Sequence, residues 1–120
     1  MSPAKKIYLD MQYDSTTRIG LHWAAYVELD SAYLWEPTEY APGISKEHIL
    51  GIEAPLWTET VVNREDINYL AFPRLAAAAE IAWTSKDRRN WEGFSKRLPA
   101  QGKRWDVQGV GFYRSPKVTW

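Results

Sequence analysis

The stretch Ile49–Trp57, ILGIEAPLW, and the helix start that follows it at Asn63–Asp66, NRED, decide how this chain is read. Nine mostly apolar residues with a single Pro near the end predict a buried strand, because a missing N–H matters least near a strand end. Asn63 is placed to cap a helix beginning at Arg64, and Glu65 and Asp66 suit its positive end. Ile67, Leu70, Ala71, Leu75, Ala78 and Ala82 then recur at helical spacing, which predicts a helix over 64–84 that Pro73 kinks or splits. The small residues Ala76–Ala79 let that helix lie close against a sheet. The stretch is therefore a strand followed by a helix.

Upstream, Ile7–Met11 (IYLDM) predicts a first strand, followed by a polar loop from Gln12 to Gly20 and a short helix around Glu28–Leu34. Glu36–Ser45 holds Pro37, Pro42 and Gly43 and reads as turn or loop. Downstream, Ser85 is placed to cap a second long helix over 86–108. Trp91, Phe94, Leu98 and Trp105 give that helix its apolar side, and Pro99 interrupts it. Residues 110–120 read as an extended tail with a turn at Arg114–Pro116. Strands alternating with helices imply parallel βα units in an α/β fold. Two parallel strands alone leave faces and edges uncovered, so the single domain 1–120 reads like a piece of something larger.

Composition narrows the chemistry. Fifteen acidic residues balance fifteen basic ones, which argues against a nucleic-acid-binding surface. No apolar run approaches the roughly 20 residues that a membrane-spanning helix needs. With no Cys there is no thiolate ligand or thiol nucleophile, and His22 and His48 lack metal-ligand spacing, so neither a metal nor a cofactor is expected. Phosphate-loop, dinucleotide and serine-elbow motifs are absent. Seven Trp and seven Tyr in 120 residues exceed what a small core needs. Rings of this kind offer flat apolar faces to sugar C–H groups together with a hydrogen-bonding edge.

Tyr8 and Asp10 lie at i and i+2 on the first predicted strand, Trp57 and Glu59 repeat the spacing at the end of the second, and Trp23 sits on the loop between them. In a βα-barrel the carboxyl ends of the strands build the active site. An aromatic and a carboxylate from each of two strands would serve a sugar pocket. Each residue also has a plain structural reading: Asp10 as a loop cap, Trp57 as core, Glu59 as a partner for backbone donors. Trp83, Trp91, Trp105 and Trp120 read as packing residues, as do Tyr26, Tyr33 and Trp35. Arg88, Arg89, Lys96 and Arg97 read as solvated charges.

At these residues the sequence resembles the C-terminal part of a β-N-acetylhexosaminidase of glycoside hydrolase family 20. The resemblance rests on YLDMQY at Tyr8–Tyr13, GLHWAAYVELDSAYLWEP at Gly20–Pro37, GIEAPLWTET at Gly51–Thr60, FPRLAAAAEIAW at Phe72–Trp83 and WEGFSKRL at Trp91–Leu98. It implies the last two βα units of a (β/α)8 barrel, a fold of about 250 residues. It also implies hydrolysis of terminal N-acetyl-hexosamine residues, as in chitin degradation, by substrate-assisted retaining catalysis. In that mechanism the substrate's own acetamido oxygen attacks the anomeric carbon. On this resemblance Tyr8 would hold that oxygen, Asp10 and Glu59 would bind outer hydroxyls, Trp57 would wall the pocket, and Trp23 would line the leaving-group side. Partners would be N-acetyl-hexosaminide glycans, and either the remainder of the barrel or a second copy meeting exposed strand edges.

The family's acid/base is an adjacent Asp-Glu pair, and this chain has only Glu65–Asp66, in the reverse order and at a helix start. The chain is therefore expected to carry about half the substrate-binding groups and, alone, to be inactive as a hydrolase. MSPAKKIYLD shows no signal peptide, and the compartment stays open; a secreted or periplasmic parent enzyme is compatible with the resemblance. The alternative is a non-catalytic carbohydrate-binding module, which would need a self-contained core. A two-carboxylate glycosidase using Asp10 and Glu59 is excluded by length, since two strands do not enclose a sugar.

Overall fold

Asn63 does what its position predicts: its side chain accepts the Asp66 N–H at 2.8 Å and starts helix α3, Arg64–Ala71. The computed structural model describes residues 1–120. Its helices are α1 (Ala4–Ile7), α2 (Leu29–Tyr33), α3, α4 (Arg74–Trp83) and α5 (Trp91–Val107), with single 3₁₀ turns at Pro37–Glu39, Lys46–His48 and Lys86–Arg88. The expected helix over 64–84 is split at Phe72–Pro73, where Phe72 is extended and Pro73 has no N–H to continue the ladder. The split also rotates the apolar face. Leu70, Ala71, Ala77, Ala78 and Ile81 are buried, whereas Ile67, Leu75 and Ala82 are exposed.

Two expected strands do not form. Residues 7–11 begin as the end of α1, where Pro3 C=O accepts from both Lys6 and Ile7, and only Met11 pairs, in an isolated parallel bridge with Leu21. Residues 49–57 carry no strand at all. They run beside the N-terminus through Met1 N to Gly51 O (2.9 Å), Glu53 N to Met1 O (3.1 Å), Ser2 Oγ to Glu53 O (2.9 Å) and Leu9 N to Pro55 O (2.8 Å). A strand in a parallel sheet is held by a run of bonds to its neighbours; residues 7–11 meet Pro55 and Leu21 at isolated points only, and residues 49–57 meet only residues 1–2 and Leu9. Pro55 removes a further donor from the second segment.

The helices after Pro73 follow local rules more closely. Asn90, not Ser85, caps α5, accepting the Gly93 N–H at 2.7 Å, while Ser85 precedes a 3₁₀ turn and makes no cap bond. Helix α5 runs through Pro99 without ending there. Its buried side, Phe94, Leu98 and Trp105, packs with Leu29, Tyr33, Ala77, Phe112 and Val118 in the main core. Gly102 lets the tail approach this helix: a Cβ there would stand 3.1 Å from the rings of Phe112 and Trp120. Trp91, Trp105 and Trp120 pack as expected, but Trp83 is 89% exposed. Tyr26 is likewise exposed, whereas Tyr33 and Trp35 are buried. Arg89 is no solvated charge: its side chain is buried in an ion pair with Glu36. No helix is long and apolar enough to cross a membrane.

Candidate functional site

The segment Tyr8–Tyr13 is held from behind by one residue. Arg74, 1% exposed at the start of α4, donates to the carbonyls of Leu9 (2.6 Å), Met11 (2.7 Å), Val27 (3.1 Å) and Leu70 (3.0 Å). Its guanidinium lies flat against the Tyr13 ring, 3.7 Å from the centroid. Tyr13 passes the constraint on, because its hydroxyl reaches the carbonyls of Leu70 and Phe72 at 3.1 and 3.0 Å. Burial pushes that phenol up to about 12, so it stays a donor. Tyr113 stacks on the other face of the cluster at 3.8 Å and donates to Glu28 (2.9 Å). Sequence reasoning does not single out Arg74. The available signal is a lone cation inside the otherwise apolar run Phe72–Ala79, where a solvated charge has little reason to stand.

Arg74 takes the carbonyls on both sides of Asp10, so the Asp10 backbone is fixed while its side chain is left uncommitted. Asp10 is 1% exposed, and neither carboxylate oxygen makes a hydrogen bond. Burial raises its pKa above the ordinary 3.8. The nearby amides of Asp10 itself and Trp57 oppose the rise without closing to hydrogen-bond geometry, the Glu59 charge adds to it, and Arg74 opposes it. A buried carboxylate without partners is costly, and such groups concentrate at binding sites.

The other expected site residues gather near it. The rings of Tyr8 and Trp23 meet edge to face, with centroids 6.2 Å apart. Trp23 is 67% exposed and Trp57 54%, so neither is a core residue. Glu59 is exposed and makes no hydrogen bond or ion pair of its own. It stands in a turn closed by Val61 N to Thr58 O (3.1 Å), and the turn is tied at its end by Val62 N to Asp66 Oδ2 (3.1 Å). Asp66 in turn meets Arg18 at 2.8 Å. The plain structural readings of Asp10, Trp57 and Glu59 are thus not supported by contacts: none of the three side chains is used up inside the fold.

The two halves are joined through Gly20. Its N–H reaches Thr60 Oγ1 at 2.9 Å, and Leu21 N reaches Asp10 O at 2.8 Å. Gly20 has φ +94°, and a Cβ there would lie 2.7 Å from Asp10 O, so only glycine allows this approach. These links bring the backbone of residues 57–60 beside Asp10, and the two segments together carry two exposed indole rings, a half-buried phenol, one buried and one exposed carboxylate. They offer stacking surface and hydroxyl acceptors but no nucleophile paired with a base. No group of three or more His, Cys, Asp or Glu is arranged to hold a metal ion.

Residues 1–86 match the model of glycosyl hydrolase family 20, catalytic domain. A β-N-acetylhexosaminidase of Cellulomonas fimi is 45% identical over 120 residues, covering 100% of this chain and 24% of its own length. The Streptomyces plicatus N-acetyl-β-hexosaminidase, solved in complex with Thio-NAglucal, superposes with a TM-score of 0.96 at 45% identity, over 99% of this chain and 24% of that one. The Vibrio harveyi exo-β-N-acetylglucosaminidase, solved with N-acetylglucosamine, gives 0.84 at 36% identity, over 94% and 18%. The chain therefore spans a quarter or less of the length of these relatives.

Proposed function

Because the chain belongs to glycosyl hydrolase family 20, we propose that it is the substrate-binding C-terminal part of a β-N-acetylhexosaminidase barrel, made of the last two βα units. It would act on terminal non-reducing N-acetyl-hexosamine residues. The observation that carries the reading is Asp10: a fully buried carboxylate with both oxygens free, set beside the open Trp57 and Glu59 and held from behind by Arg74. Sugar hydroxyls are donors of the right kind to satisfy it once the carboxylate turns toward the surface, since both oxygens are covered in the free chain. Glu59 would take a second outer hydroxyl, and the Trp57 and Trp23 faces would stack against the ring and its neighbour.

Tyr8 has the role that needs position rather than proton transfer. Its hydroxyl, on a half-buried ring braced by Trp23, would donate to the acetamido oxygen and hold it where it attacks the anomeric carbon, a proximity effect. Protonation of the leaving oxygen needs an acid that the chain does not offer: Asp10 and Glu59 are on the hydroxyl-binding side, and the Glu65–Asp66 pair begins α3, with Asp66 engaged by Val62 and Arg18. Turnover would follow only when the rest of a barrel covers the open side of residues 49–57. Self-association through the same edge is the other way to cover it.

Incubation with an aryl β-N-acetylglucosaminide tests this. The 120-residue chain alone should release no aryl alcohol. A fusion to the other three quarters of the Cellulomonas fimi relative should release it, with Tyr8→Phe and Glu59→Gln each slowing the reaction at least about tenfold. Release by the chain alone that survives both substitutions would overturn the assignment.

A further inference from the structure

Trp57 and Glu59 have a positional problem that Tyr8 and Asp10 do not. Arg74 fixes the Tyr8–Asp10 side through the Leu9 and Met11 carbonyls. Neither Trp57 nor Glu59 is locked by a contact of its own, since Trp57 is half exposed and Glu59 makes no hydrogen bond or ion pair. Their placement has to come from the backbone of residues 55–62. Pro55 O is tied to Leu9, and Val62 N is tied to Asp66 on α3. Between those two ends the turn has one hydrogen bond to the facing segment, from Gly20 N to Thr60 Oγ1 at 2.9 Å. Gly20 is itself in fixed register with Asp10, through Leu21 N to Asp10 O, Gln12 N to Leu21 O (2.6 Å), and the close approach that only a glycine permits.

We propose that Thr60 is a positioning residue: by accepting the Gly20 amide, its hydroxyl oxygen sets the spacing between the Trp57–Glu59 turn and the Tyr8–Asp10 segment. The inference rests on the reading of these four residues as a sugar-binding face. An amide deprived of its acceptor in a part-buried place would draw water into the gap, and the turn would be free to move away from Asp10. Ser at position 60 keeps the acceptor, while Val keeps the shape and removes it.

The test uses the isotope-labelled 120-residue chain titrated with N-acetylglucosamine, with affinity read from amide shifts of residues 57–60. Thr60→Val should weaken binding about fivefold, and Thr60→Ser should restore it to within about twofold of wild type. In the same variants the Gly20 amide should exchange with solvent faster in Val and at the wild-type rate in Ser. Glu59→Gln separates the two levels of the argument. If Glu59→Gln weakens binding but Thr60→Val does not, or if Gly20 exchange is the same in all forms, the role of Thr60 is wrong and the site stands. If Glu59→Gln has no effect, the site itself is wrong, and the role of Thr60 falls with it.

Discussion

The segments 7–13 and 49–60 look alike as sequence, each a short apolar run ending in an aromatic and a carboxylate two residues apart, but they are built in opposite ways. The first is anchored from within. Arg74 and Tyr13 tie its carbonyls to the loop before α2 and to the α3–α4 junction, and its carboxylate is buried. The second is held at a few points along its backbone, and Leu50, Trp57 and Glu59 all face solvent. One wall of the proposed face is thus fixed by the fold, and the other has to be latched to it. Stability should be sensitive in the first wall and ligand binding in both.

The sharpest way to break this contrast is Arg74→Met. It strands up to four buried carbonyls and should cost about 4 kcal/mol in urea unfolding, enough to leave the chain largely unfolded. A loss under about 1 kcal/mol would show that the first wall is not anchored there. Gly20→Ala comes next, at about 2 kcal/mol, because it adds both a clash with Asp10 O and a side chain at positive φ. Trp57→Ala and Glu59→Gln should change unfolding by no more than about 0.5 kcal/mol while weakening N-acetylglucosamine binding, which would separate the two walls by measurement.

Asp10 adds a pH signature of defined sign. Its folded pKa is raised, so the unfolded chain releases the proton first. Stability is lost as pH rises from about 3.8 through the folded value, and the loss persists at neutral pH. Asp10→Asn should therefore be more stable than wild type near neutrality, with the difference vanishing below the ordinary Asp range. Asp14 lies on the other side of the balance. Its carboxylate, hydrogen-bonded by the Thr16 hydroxyl, has a lowered pKa, so its contribution is present above about 3.8 and is lost as pH falls. Unfolding midpoints of the two Asn variants across this range should move in opposite directions.

What could be read from sequence follows the range of the interaction. Asn63 and the α5 stripe were legible because a cap and a helical face are local patterns. The break at Pro73 was legible for the same reason. The strands were not, since a ladder is a property of neighbours, and 49–57 has too few of them here. Arg74 looks like an ordinary helix charge until the fold wraps Leu9, Met11 and Val27 around it, with contacts 47 to 65 residues away in sequence. Arg89 hides in the same way, since its partner Glu36 lies in a loop 53 residues away. The five proposed site residues come from the strand-end pattern and the family resemblance, and no strand carries them. In the Tyr8–Asp10 segment Arg74 fixes the backbone on both sides of Asp10 without a strand.

The most direct test of the central claim, that Tyr8, Asp10, Trp23, Trp57 and Glu59 form one sugar-binding face, is a map of amide and indole shifts in the 120-residue chain as N-acetylglucosamine is added. Saturable changes are expected, with an affinity of about millimolar or weaker, centred on the Trp23 and Trp57 indoles and on the backbone of residues 8–10 and 57–60. Shifts confined to another exposed ring, Trp83, or no saturable change at residues 8–10 and 57–60 would contradict it.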